Sequence, residues 1–95
     1  MRTHIKDPDE ILIYGFDWSD WLESGDTLST SSWDVQAGSG LTSASPSISG
    51  SNTLVKISGG TVIASDGSPY QITNTVTTAA GLVGVRSLFL WVQER

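Results

Sequence analysis

Catalysis needs groups that converge, and few side chains in this sequence are of a kind to do it. His4 is the one histidine. It falls in a charged N-terminal segment where solvent is its expected neighbour, and no Ser-His-Asp set can be built around it. The sequence has no cysteine, which removes thiolate nucleophiles and Cys/His zinc sites. Asp7, Asp9 and Glu10 lie close together but lack the Asx-x-Asx-x-Asx-Gly spacing of a calcium loop. Gly38-Ser39-Gly40 and Gly59-Gly60 do not open helices, so they make no phosphate cradle. Asp17 and Asp20 flank Trp18, and a carboxylate pair is what a glycosidase uses. So close together in a bend, they are better placed to cap backbone amides. The sequence reads as a non-enzyme, with no cofactor and no metal.

The elements that position these residues follow from composition and pattern. Ninety-five residues make one domain with a modest core. Charged residues are 16% of the chain, below the roughly 25% that is usual, and 15 Ser and 10 Thr fill the gap. Thr favours strands and Ser favours turns and edges, so the balance leans to β structure. No apolar run approaches the roughly 20 residues that span a bilayer. Met1 to Pro8 lacks the apolar stretch of a signal peptide. Without cysteine the domain needs no oxidising compartment, and synthesis in a cytoplasm is expected.

Net charge is −5, concentrated as −8 over residues 7–34. That acidity argues against gripping nucleic acid, which needs clustered Lys and Arg. It suits either a solvated face or a basic patch on a partner.

Along the chain, residues 1–10 read as an extended N-terminal arm and 11–95 as a β domain. Ile11 to Phe16 is a good first strand. The Trp18-Ser19-Asp20-Trp21-Leu22 run breaks the alternation and predicts a bend or one helical turn. Thr27 to Val35 restarts strand sequence around Trp33. Residues 36–51, rich in Gly, Ser, Ala and Thr, predict a loosely packed pair of short edge strands anchored by Leu41 and Ile48. Asn52 to Ser58 is a strand with Val55 and Ile57 on one face, and Thr61 to Ala64 extends as a short hairpin arm. In the next strand Tyr70, Ile72 and Val76 share a face. Ala79-Ala80-Gly81 then turns the chain into a last strand over Val85 to Val92. About seven strands without helical period predict an all-β, immunoglobulin-like sandwich.

Asp66-Gly67-Ser68-Pro69-Tyr70 fits either a tyrosine corner, the phenol bonding back to nearby backbone, or an ordinary Asp-Gly turn. Ile72 stands where antibody domains place their second cysteine.

Four tryptophans are a heavy load for one small core. Trp33, mid-strand, is the expected buried ring. If Leu88, Leu90 and Val92 face inward, alternation puts Phe89 and Trp91 on the outer face, where a sandwich shows polar residues. That marks either a contact surface or a strand covered by the chain's own N-terminal segment. Trp18 and Trp21, in their acidic bend, are the further candidates for contact with a protein or, by stacking, a sugar.

With these pieces in view the chain resembles the small virion proteins of tailed bacteriophages known as fiber-tail adaptor or head-tail joining proteins. The resemblance rests on Asp7-Pro8-Asp9, Asp17-Trp18-Ser19-Asp20-Trp21-Leu22, Ser32-Trp33, Gly59-Gly60, Tyr70, Thr73-Asn74, Gly81, Arg86, Val92 and Glu94. The set runs in order over nearly the whole chain. Residues 61–65 look like an insertion. Relatives are more polar at the positions of Ile13, Phe89 and Trp91, which makes these three expected contacts particular to this chain.

The resemblance implies a structural adaptor in the neck or tail of a virion. Multiple copies around a symmetric ring would dock on connector or tail proteins and link fibers or spikes to them. The expected partner-binding residues are Ile13, Trp18, Trp21, Phe89 and Trp91, with neither nucleic acid nor membrane as partner. Two other functions fit the same fold. One is a carbohydrate-binding module using Trp18 and Trp21, and the other is a capsid decoration protein.

Overall fold

A computed structural model describes residues 2–64 and 66–94, with side chains from His4 onward. Among them there are seven strands and no helix: β1 Arg2–Lys6, β2 Leu12–Asp17, β3 Leu28–Val35, β4 Leu41–Ser49, β5 Asn52–Gly59, β6 Tyr70–Thr78 and β7 Val83–Val92. They form a four-stranded sheet in the order β1-β7-β6-β3 and a three-stranded sheet in the order β2-β5-β4. The order is compatible with an immunoglobulin-like sandwich: β2-β5-β4 stand where its B, E and D strands do, and β7-β6-β3 where G, F and C do.

Period-two alternation fills the space between the sheets. Ile57, Ile72, Val76, Leu88, Leu90 and Val92 are wholly buried, Val55 nearly so, and Trp33 stacks on Phe16 with ring centroids 5.8 Å apart. The β6–β7 hairpin supplies Ile72, Val76, Leu88, Leu90 and Val92 to this core, as its clean alternation predicts.

Tyr70 opens β6 and its hydroxyl donates to the Thr61 carbonyl at 2.9 Å. The phenol therefore bonds back to upstream backbone, as a tyrosine corner requires.

Three expectations are corrected. Residues 36–51 hold one long edge strand, β4, and not a pair of short ones. Its register shifts between Ala44 and Ser47, where Ser45 takes a φ of 51° and Pro46 follows. An edge can tolerate that proline and that bulge, and both blunt it against further pairing. Thr61 to Ala64 is not a strand; Ile63 instead donates its amide to the Val92 carbonyl.

The third correction concerns the arm. Residues 2–6 are extended, but they lie within the sandwich as β1, paired parallel to β7 from Leu88 to Val92. His4 is consequently half-buried, its ring 5.1 Å from that of Tyr14. Lys6 is buried outright, and its Nζ donates to the carbonyls of Gly59 at 2.7 Å and Asp7 at 2.8 Å. Burial pulls its pKa below the usual lysine range, against the opposing pull of Glu10, Asp7 and Asp9.

Candidate functional site

The closing strand has two unlike faces. Gly84, Leu88, Leu90 and Val92 are buried and point inward, with Arg86 in the same row. Val83, Val85, Ser87, Phe89 and Trp91 form the outer row. Val83 and Val85 are each 62% exposed, and Ile5 of β1, opposite Trp91, is 48% exposed. Phe89 and Trp91 are half-buried. β1 lies beside β7 in the plane of the sheet, so it flanks these rings and does not lie over them.

On the other side of the file, β6 shows Gln71, Thr73, Thr75 and Thr77. Gln71 Nε2 donates to Ser87 Oγ at 3.0 Å, and Thr73 Oγ1 meets the same hydroxyl at 3.0 Å. An apolar file thus runs along the face, bordered by a ladder of hydroxyls and amides. Sequence reasoning found Phe89 and Trp91 but missed Val83 and Val85, which the same alternation contains, and Ile5, which joins them only through the parallel pairing of β1 with β7.

A second apolar patch occupies the outer face of the three-stranded sheet. Ile13 is 65% exposed and Leu54 36%, Ile11 just ahead of β2 is 64% exposed, and Asp17 is exposed in the same row as Ile13. Ile13 lies in register with Lys56, and Gly15 with Leu54. Gly15 leaves room that Leu54 takes: a Cβ there would sit 2.7 Å from Leu54 Cδ2 and nearer still to the Thr53 carbonyl. Ile13 is therefore displayed, on a face remote from Phe89 and Trp91.

The Trp18–Trp21 bend is arranged differently from the expectation. The amides of Trp21 and Leu22 both donate to the Trp18 carbonyl at 3.0 Å, which closes a single turn. That turn folds Trp18 into the interior, 1% exposed, so the expected exposure of its ring is corrected. Its Nε1 reaches Thr53 Oγ1 at 3.1 Å and Asn74 Oδ1 at 3.2 Å. Trp21 packs edge-on against it at 5.2 Å and stays half-buried.

Arg86 closes the bend from β7. Its guanidinium lies 4.3 Å from the Trp18 ring centroid and donates to the Asp17 carbonyl at 2.7 Å and to Asp20 Oδ1 at 3.0 Å. Asp17 Oδ1 accepts the Ser19 amide at 2.9 Å, a cap of the kind its spacing predicts. The two carboxylates hold the bend together, and Trp18 offers no open ring face to a sugar or a protein.

The structure therefore separates the five expected contact residues. Phe89 and Trp91 share one face, Ile13 stands on the other, Trp21 lines the bend at one end, and Trp18 is core. No curated protein matches the chain. A family model does match it over residues 6–91, from the end of β1 almost to the end of β7, and its description is Podophage GP4 fiber-tail adaptor protein gp77. A match over nearly the whole sandwich makes this chain a member of that family of podophage fiber-tail adaptors.

Proposed function

We propose that the chain docks on the head-tail connector or tail of a virion and links fibers or spikes to it, with the outer face of the four-stranded sheet as its contact surface. Family membership supplies the adaptor role. The observation that carries the choice of surface is the outer row of β7. It is apolar at Val83, Val85, Phe89 and Trp91, where a solvated sandwich strand carries polar residues. Ile5 widens this file at one end. Binding is burial of that file, repeated by many copies on a symmetric ring. Multivalency then converts a modest contact into a firm attachment. An acidic chain of net charge −5 suits protein partners and not a phosphate backbone.

The test is particle composition. Phage carrying Val85→Asp or Trp91→Ser should make a soluble, folded protein that is missing from purified particles. Particles containing either variant at the wild-type level would remove this face from the interface.

A further inference from the structure

The outer face of the three-stranded sheet is ordered in rows by its registers. Ile13 stands beside Lys56, Gly15 beside Leu54, and Asp17 beside Asn52 and Ser49. Charge is divided along the strands. Lys56, the one exposed cation among the described side chains, lies in the first of these rows, and exposed Asp17 lies in the last with an amide and a hydroxyl next to it. Four residues separate the two rows, about 14 Å, which is beyond an ion pair within one molecule.

Between the Gly15 and Asp17 rows lies an open depression of about 350 Å³. Gly15, Phe16 and Leu54 line its apolar side, and Asp17, Asn52 and Ser49 bring oxygens to the other. That combination matches a lysine, whose aliphatic stem lies along apolar surface and whose ammonium has three donors. Asp17 Oδ1 also accepts the Ser19 amide, and a carboxylate has capacity for a further donor.

We infer that this depression receives Lys56 of a second copy, two chains pairing back to back through their three-stranded sheets. The two-fold axis runs across the strands, between the Ile13 and Gly15 rows. Ile13 then stands over Gly15 of the other copy, which has no side chain to oppose it. Lys56 stands over Leu54 of the other copy, with the Asp17 row about 7 Å further on, within reach of the lysine stem. Facing sheets stand about 10 Å apart, which these side chains fill. Symmetry makes each contact twice.

Charge selects this axis. A two-fold along the strands would keep each residue in its own row and set Lys56 against Lys56. The carboxylates of Asp7 and Glu10, outside the paired rows, accept amides of their own turn. The contact is isologous, so it closes at a dimer. It uses the face that the adaptor role leaves open, and both four-stranded faces stay exposed and point apart. Three strands by three rows make a small patch, so the dimer belongs to the weak class and is held in a particle by the other contacts of each copy.

Sedimentation equilibrium of the full chain from about 10 μM to about 1 mM tests this. Wild type should reach a dimer and stop there. Ile13→Asp, Lys56→Glu and Asn52→Lys all change exposed positions. Each should raise the dissociation constant at least about tenfold, with circular dichroism checking that the fold is kept. Lys56→Glu sets a glutamate against Asp17, and Asn52→Lys sets a lysine against Lys56. Mixing these two chains should give a heterodimer tighter than either homodimer. One depression then holds the new glutamate beside the new lysine, and the other keeps its native pair. Wild type monomeric at the highest concentration, a species beyond the dimer, or a mixture no tighter than its components would each overturn the inference. Val85→Asp, on the face not used, should dimerise like wild type. If the pairing fails while Val85→Asp is still lost from particles, the adaptor role stands and only the dimer falls. If it fails while Ile13→Asp is lost from particles, the depression belongs to another virion protein and not to a second copy.

Discussion

The Thr53 hydroxyl donates to Asn74 Oδ1 at 2.6 Å, tying β5 of one sheet to β6 of the other through the middle of the core. Trp18 Nε1 shares that oxygen, while Asn74 Nδ2 donates to Ser31 Oγ and to the Ser32 carbonyl, both at 2.9 Å. A buried amide satisfied at both ends specifies one arrangement of the elements around it.

Replacing Asn74 with Ala should cost about 2–4 kcal/mol, because it leaves several buried polar groups without their partner. Urea unfolding at neutral pH measures this. A loss under about 1 kcal/mol would mean that water takes over the amide's bonds.

Gly84 is the seat of the Trp18–Trp21 bend. A Cβ there would lie 2.8 Å from Trp18 Cζ3 and 2.8 Å from Trp21 Cζ2. Gly84→Ala should therefore destabilise by about 1–3 kcal/mol through overpacking. It should also change tryptophan fluorescence, since the rings must shift to admit the methyl group. An unchanged melting temperature and spectrum would show that the bend yields freely.

Tyr70→Phe deletes only the bond to the Thr61 carbonyl. The expected loss is about 0.5–1.5 kcal/mol. Amide exchange should rise first in residues 60–69, the connection the phenol pins. Exchange that rises evenly across the domain would argue against a local pin.

Asp26 is expected to contribute to the acid limb of stability. The Thr78 hydroxyl, followed by the amides of Thr27 and Ala80, holds its carboxyl below the usual range, against the opposing effect of burial. A depressed folded-state pKa gives stability that is present above the unfolded value of roughly 3.9. That stability is lost as pH falls from there through the folded value. Asp26→Asn should flatten the fall in urea midpoint across that window while the neutral-pH midpoint shifts separately. An acid limb parallel to wild type would assign the dependence to other carboxylates.

Much of the sandwich was legible in advance because its core strands alternate without interruption. Tyr70, Ile72 and Val76 point one way, as do Leu88, Leu90 and Val92. The outer position of Phe89 and Trp91 followed from the same rule. The core role of Asn74 escaped notice because a polar residue in an inward row reads as a flaw until its partners on β3, β5 and the Trp18 turn come together in space. Trp18 was misplaced for a related reason. A bend has no period, and what buries this ring is Arg86, 69 residues away from Asp17, together with the missing side chain at Gly84. β4 is nearly all Ser, Thr and Ala, so no apolar pattern measured its length. The place of β1 could not be read locally, since its parallel partner lies at the far end of the chain.

Pairing β1 with only the Leu88–Val92 part of β7 leaves the Val83–Ser87 part, among the described residues, with no strand on that side. A strand continued backwards from Arg2 in the direction of β1 would run along that edge, beside Val83 and Val85. An affinity tag or fluorescent label fused there would shade the very surface under test. One placed after Glu94 departs from the other end of the sheet. Solution studies of association should therefore carry their label at the C-terminus.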